Sequence, residues 1–140
     1  MEVRADALTG ELRVARMVRV FAIGRAMNAK TARSQLLGGM NMCLSMTLHE
    51  HSVMDERFGH YANHDLAEYH VVSHAGAPPD VDVSWIDQHD PHVNPMGAKG
   101  VGKLGIVGTA AAVANAVHHA TGVRVRDLPI RLDDLVGAGD

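Results

Sequence analysis

The stretch Gly97-Ala98-Lys99-Gly100-Val101-Gly102-Lys103-Leu104-Gly105-Ile106-Val107-Gly108 decides between two kinds of fold. Gly97, Gly102 and Lys103 fit the phosphate-loop pattern G-x-x-x-x-G-K-[ST] until its last position, where Leu104 offers no hydroxyl to a magnesium ion. Gly100 to Gly105 fits G-x-G-x-x-G outright. Both patterns require a strand that ends at the loop and a βαβ unit around it. Here the polar connector 87–96, broken by Pro91 and Pro95, precedes the glycines, and too little chain follows for a further βαβ unit. A doubly wound nucleotide-binding fold is therefore disfavoured. Two readings of the glycines stay open. They can let a polar or anionic ligand approach exposed backbone N–H groups, or they can form a turn packed against its own helix.

Outward from this loop, residues 109–121 are Ala-rich and end before Gly122, which predicts a helix with a glycine stop. Upstream, 2–5 and 12–23 are rich in β-branched residues and flank a turn containing Gly10, which predicts a hairpin. An imperfect alternation sets Leu12, Val14, Arg16, Val18, Val20 and Ala22 on one face, and Arg13, Met17, Arg19 and Phe21 on the other. From Ala32 to about Val53 apolar residues recur at helical spacing, with Asn28 or Thr31 near the cap. The pair Gly38-Gly39 weakens that helix by about 1 kcal/mol per glycine and marks a close approach. Residues 54–65 read as a turn or small hairpin, 75–80 as a loop, and 81–86 as a strand. Residues 123–136 read as a short extended piece and a last turn over 132–136. The order and mixture predict an α+β fold.

Composition narrows the function. The net charge of −3 and a pI near 6.3 give no basic excess for a nucleic-acid backbone. No apolar run reaches the length of a membrane helix. No signal peptide is visible and the single Cys43 excludes an internal disulfide, so a cytoplasmic location is expected. One cysteine also cannot hold an iron–sulfur cluster. Aromatic residues are 4% of the chain, thin for an independent core, which leaves open that a missing partner completes it.

The other candidates have plain readings. His49 and His51 fall on different helix faces, and His60, His64, His70 and His74 read as polar residues on turn-rich segments, so no metal site is assigned. His118 and His119 complement the dipole of the second helix. Met40, Met42 and Met46 read as flexible core filler, and Cys43 as a small buried residue. Gln35 is a surface residue unless the close approach at Gly38-Gly39 is made by a ligand.

Five motifs in order are more specific than their parts: residues 20–28 (VFAIGRAMN), 32–39 (ARSQLLGG), 63–69 (NHDLAEY), 94–102 (NPMGAKGVG) and 124–130 (RVRDLPI). Together the chain resembles the C-terminal end of the molybdenum-binding subunit of the xanthine dehydrogenase/aldehyde oxidoreductase family. It looks most like bacterial aldehyde dehydrogenase large subunits. The resemblance covers about residues 1–136. It implies that residues 1–140 are the C-terminal portion of a molybdenum-cofactor-binding domain, part of a larger multi-domain fold whose upstream domains supply most of the pocket. It further implies a molybdopterin cytosine dinucleotide cofactor, or the plain pterin form, that this segment alone would not retain. Hydroxylation of aldehydes or N-heterocycles with oxygen from water is the implied reaction. Iron–sulfur and FAD-bearing subunits are the implied electron partners, with no nucleic acid and no membrane.

By matching position, the resemblance places Gln35 on the pterin and the backbone of Gly100, Val101 and Gly102 against the metal end of the cofactor. The residue after G-x-G is the family's general-base glutamate. Here it is Lys103, the one departure that touches the chemistry. A lysine ammonium is protonated at neutral pH and accepts no proton, so catalytic competence is in doubt and the isolated chain is expected to be inactive. The alternative reading is a non-enzymatic remnant or small anion-binding module that uses the glycine loop and Lys103.

Overall fold

A computed structural model describes residues 1–137; the last three residues of the expected 1–140 unit lie outside the described residues. Strands β1 (Glu2–Ala5) and β2 (Leu12–Phe21) form the expected antiparallel hairpin. Asp6 organises its turn. The carboxylate accepts from the amides of Leu8 (2.9 Å) and Thr9 (3.0 Å). Those two amides hold Asp6 below the usual carboxylate range.

The irregular alternation of β2 has a structural cause. Glu2 lies opposite Arg16 but Val3 lies opposite Val14, so the pairing skips Ala15. This is a β-bulge, and one extra residue turns the strand over. Val14 faces the helices before the bulge, and Met17, Arg19 and Phe21 face them after it. Met17 and Phe21 are accordingly buried, whereas Val18 is 44% and Val20 60% exposed. The expected apolar face through Val18 and Val20 is thus corrected.

Helix α1 (Ala29–Leu48) starts where the sequence suggests: Asn28 is its N-cap and accepts from the Thr31 amide at 3.1 Å. It stops five residues short of the expected Val53. The chain beyond His49 is held elsewhere, for the Val53 amide donates to the Asn63 side chain (2.8 Å) and the Tyr69 hydroxyl to the Glu50 carboxylate (2.8 Å). These bonds lead the chain into the small hairpin β3 (Met54–Asp55) and β4 (His60–Tyr61).

Strand β5 (Asp80–Trp85) then joins β2 in parallel, giving the sheet order β1-β2-β5. The parallel pairing is possible because α1 and the small hairpin provide the crossover. Helix α2 (Thr109–Thr121) falls on its expected residues. Both helices cover one face of the sheet. The core between the layers holds Met17, Phe21, Leu36, Met40, Leu44, Val113 and Val117. Met40 fills it as expected, but Met42 and Met46 face solvent. The tail 123–137 runs back over the layers without strand pairing. It is pinned where the Ile130 amide donates to the Thr47 carbonyl (2.8 Å). The α+β class and the order of hairpin, long helix, short strands, glycine loop and helix are as the sequence indicates.

Candidate functional site

No strand feeds the glycine loop: β5 ends at Trp85 and the polar connector intervenes, so neither nucleotide-loop pattern has its structural context. The connector is instead a self-bonded platform. The Asn94 side-chain amide donates to the Ala98 carbonyl (2.7 Å), and its oxygen accepts from the Met96 amide (3.0 Å). Lys99 pairs with Asp90 at 3.0 Å. The Lys99 ammonium first, then the His92 amide, hold the Asp90 carboxyl below its usual range. The loop's entry is stitched to the segment after β2: the Arg25 amide donates to the Gly97 carbonyl (2.8 Å) and the Lys99 amide to the Ile23 carbonyl (3.0 Å).

Its exit is locked into α1. A Cβ on Gly105 would overlap the Leu36 carbonyl and lie 2.8 Å from the Met40 nitrogen. A Cβ on Gly39 would lie 3.0 Å from the Gly105 Cα. The close approach signalled by Gly38-Gly39 is therefore made at Gly39, by the chain's own loop. Gly38 faces open space. The glycines divide: Gly39 and Gly105 pack backbone on backbone, with the loop seated on α1 rather than on the helix that follows it, while Gly100 and Gly102 face open space.

This lock packs the Leu36–Met40 turn of α1, which follows Gln35, against Gly105 and Ile106 at the exit of the loop. Gln35 is exposed, and among the described residues its amide has no hydrogen-bond partner. Val101 is half-buried against the core, and its carbonyl accepts from the Leu104 amide (3.2 Å). Lys103 is exposed, with φ +55°, and is the non-glycine residue of positive φ among those described. No carboxylate among the described residues pairs with its ammonium.

Sequence reasoning missed Arg19. Its guanidinium donates to the Gly105 carbonyl (3.0 Å) and the Thr109 hydroxyl (3.2 Å), and it lies over the Phe21 ring at 4.7 Å. Thr109 donates to the same carbonyl at 2.8 Å. Arg19 thus ties sheet, loop exit and the start of α2 together. The signal was the broken alternation of β2, which left Arg19 looking outward. Asn41 was also passed over; its Oδ1 is buried without a donor, a cost of about 1–3 kcal/mol unless a group outside the chain supplies one.

A second missed signal is the distribution of charge. Residues 12–49 contain Arg13, Arg16, Arg19, Arg25, Lys30 and Arg33 and no Asp or Glu; residues 91–126 contain Lys99, Lys103, Arg124 and Arg126 and again no acid. The two segments that build the site are wholly cationic although the chain is net negative. Arg13, Arg16 and Lys99 are paired with Glu11, Asp80 and Asp90, but the remaining cations, the open glycines and the unpartnered amide fit a flat, anionic cofactor. The histidines do not gather: among the described residues no three His, Cys, Asp or Glu side chains converge on a metal-sized site. His118 binds the Arg124 guanidinium at 2.9 Å. No helix among the described residues is long and apolar enough to cross a membrane.

The chain is similar to known proteins. The model of the molybdopterin cofactor-binding domain matches residues 1–78, which includes Gln35 but not the glycine loop. The aldehyde oxidoreductase molybdenum-binding subunit of Escherichia coli (strain K12) is 51% identical over 136 residues, covering 97% of this chain and 18% of that subunit. A probable xanthine dehydrogenase subunit of Bacillus subtilis (strain 168) is 31% identical over 141 residues, covering 100% of this chain and 18% of that protein. Among solved structures, the aldehyde oxidoreductase of Desulfovibrio desulfuricans superposes with a TM-score of 0.84 at 28% identity, over 97% of this chain and 14% of that one. The chain spans only 18% of the length of these two curated relatives. With the family model matching more than half of its residues, the chain belongs to the molybdopterin cofactor-binding domain family, that of the molybdenum-binding subunits of aldehyde oxidoreductases and xanthine dehydrogenases.

Proposed function

We propose that residues 1–140 are the C-terminal portion of the cofactor-binding domain of a cytoplasmic molybdenum hydroxylase. In this reading Gln35 and the 100–102 backbone bind molybdopterin cytosine dinucleotide, upstream domains complete the pocket, and iron–sulfur and FAD subunits carry electrons away. The observation that supports it is the Gly39–Gly105 lock, which fixes the exit of the glycine loop to the turn of α1 that follows Gln35. When bound, the cofactor supplies the metal centre that oxidises an aldehyde or N-heterocycle. The chain's own work is narrower. Gln35 offers a donor and an acceptor to the pterin. Gly100 and Gly102 admit it where a side chain would stand. Arg19 holds the loop exit to the sheet. Lys103 occupies the general-base position and, as an ammonium, takes no proton from the reacting group.

The test is a full-length subunit that includes this segment. Gln35→Ala is expected to lower molybdenum and pterin content per chain, whereas Arg13→Ala, on the solvated outer end of β2, leaves it unchanged. Equal content in both variants would remove Gln35 from the site. Lys103 supports a second reading, an anion-binding module without turnover. Efficient hydroxylation by the unmodified loop would exclude that reading.

A further inference from the structure

Strand β1 is an edge of the sheet. Strand β2 pairs with one side of it, and among the described residues 1–5 make no backbone hydrogen bond beyond the hairpin. The Asp6 amide donates to the Glu11 carbonyl (2.9 Å). Antiparallel alternation from that pair turns the N–H and C=O of Arg4 toward β2 and those of Val3 and Ala5 away from it. A row of unpaired donors and acceptors of this kind is a template for another strand. The charges on β1 are equally uncommitted. Across the hairpin Arg16 pairs with Asp80 (2.8 Å) and Arg13 with Glu11 (2.7 Å). Glu2 and Arg4 are left to each other at 4.0 Å, with side chains 57% and 79% exposed. Beside the free edge, Ala112, Ala116 and Ala120 of α2 line a groove of about 430 Å³ together with Met1 and Val3.

These features select a partner with the same sequence. Two β1 strands set antiparallel about a twofold axis at Val3 exchange the Val3 amide and carbonyl, and place Glu2 opposite Arg4 of the copy on both sides of the axis. Glu2 and Arg4 then occupy the non-hydrogen-bonded pairs, where side chains stand closest. A shift of two residues would set Glu2 against Glu2 of the copy, or Arg4 against Arg4. A shift of one would put the helices of the copy on the opposite face of the sheet. The two charges therefore admit a single register. An axis perpendicular to the sheet keeps both α2 helices on one side, where the alanines bring no bulk between them. We propose that β1 is a homodimer interface: it pairs with β1 of a second copy, centred on Val3, and joins the two three-stranded sheets into one continuous sheet. The pairing does not depend on the proposed cofactor role of Gln35 and the glycine loop.

The experiment uses the full-length subunit that includes this segment, co-expressed as two copies with different affinity tags and handled at low ionic strength. Purification on one tag is expected to recover both. Glu2→Arg sets cations against cations, and Arg4→Glu sets acids against acids, at both contacts. Each variant by itself is therefore expected to dimerise at least about tenfold less tightly in sedimentation equilibrium. Co-expression of Glu2→Arg copies with Arg4→Glu copies is expected to restore the dimer, since each contact then joins opposite charges. The double variant Glu2→Arg/Arg4→Glu is expected to pair with itself. Rescue by mixing is not a folding effect, because neither copy regains its own Glu2–Arg4 pair. A monomeric unmodified subunit, single variants that dimerise like the original, or a mixture no tighter than the single variants would each overturn the proposal. A strand from elsewhere in the subunit lying on this edge would give the first or the second of these results.

Discussion

Gly105→Ala should be among the most damaging single-methyl additions in this protein. The added Cβ would overlap the Leu36 carbonyl and sit 2.8 Å from the Met40 nitrogen, against ordinary contacts of 3.4 Å or more. All of these partners are backbone of α1, so no rotamer change relieves them. The loop and helix must part by over half an ångström at Met40 and more at Leu36, which pulls the Gly105 carbonyl from Arg19 and Thr109. Overpacking of this kind costs about 1–3 kcal/mol, and a rigid backbone pair belongs at the upper end. The loosened Arg19 bond adds about 1 kcal/mol or more. The expected loss is about 3–4 kcal/mol, a fall in Tm of roughly 10 °C for a chain of this size. The control is Gly38→Ala, where a Cβ meets nothing within 4 Å and helix propensity favours alanine by about 1 kcal/mol. Urea and thermal denaturation of the two variants should move in opposite directions. A Gly105→Ala protein within about 0.5 kcal/mol of the original, or a Gly38→Ala protein as damaged as Gly105→Ala, would refute the lock between loop and helix.

Further outcomes follow from the same geometry. Arg19→Met should cost about 1.5–3 kcal/mol, because a charged donor to Gly105 and Thr109 is removed; Arg19→Lys should recover part of that loss in urea denaturation. Asp90 is depressed below the ordinary carboxylate value of 3.8 by Lys99, so its contribution to stability is complete above that value and is lost as pH falls below it through the lower folded value. Asp90→Asn should therefore flatten the acid limb of a Tm-against-pH curve while Glu11→Gln, on the solvated hairpin, leaves that limb in place. In a full-length subunit, Lys103→Glu should raise turnover of a neutral aldehyde about 10²–10⁴-fold, the usual worth of a positioned base; steady-state kinetics showing no gain would mean the base is supplied elsewhere. The purified 140-residue chain should hold no stoichiometric molybdenum by elemental analysis.

Local sequence determined much of this protein. Asn28 capping the Thr31 amide, Gly122 ending an Ala-rich run, and Asp6 folding back on the amides of Leu8 and Thr9 are contacts within a few residues, so their chemistry is readable from neighbours along the chain. The motifs at 32–39 and 94–102 likewise carried the family, because short runs of residues bear them. Tertiary structure decided the rest. The bulge at Ala15 depends on how β1 pairs with β2, and one skipped residue moved Val18 and Val20 to the outside and Arg19 to the inside. The early end of α1 depends on Asn63 and Tyr69, which are distant in sequence from the residues they hold. Gly38 and Gly39 are identical letters, yet Gly39 meets the Gly105 backbone and Gly38 meets nothing. That difference is a rotation of about 100° around a helix axis. Only the packing of a loop drawn from some 65 residues further along the chain gives the rotation its meaning, by turning one glycine into structure and leaving the other facing open space.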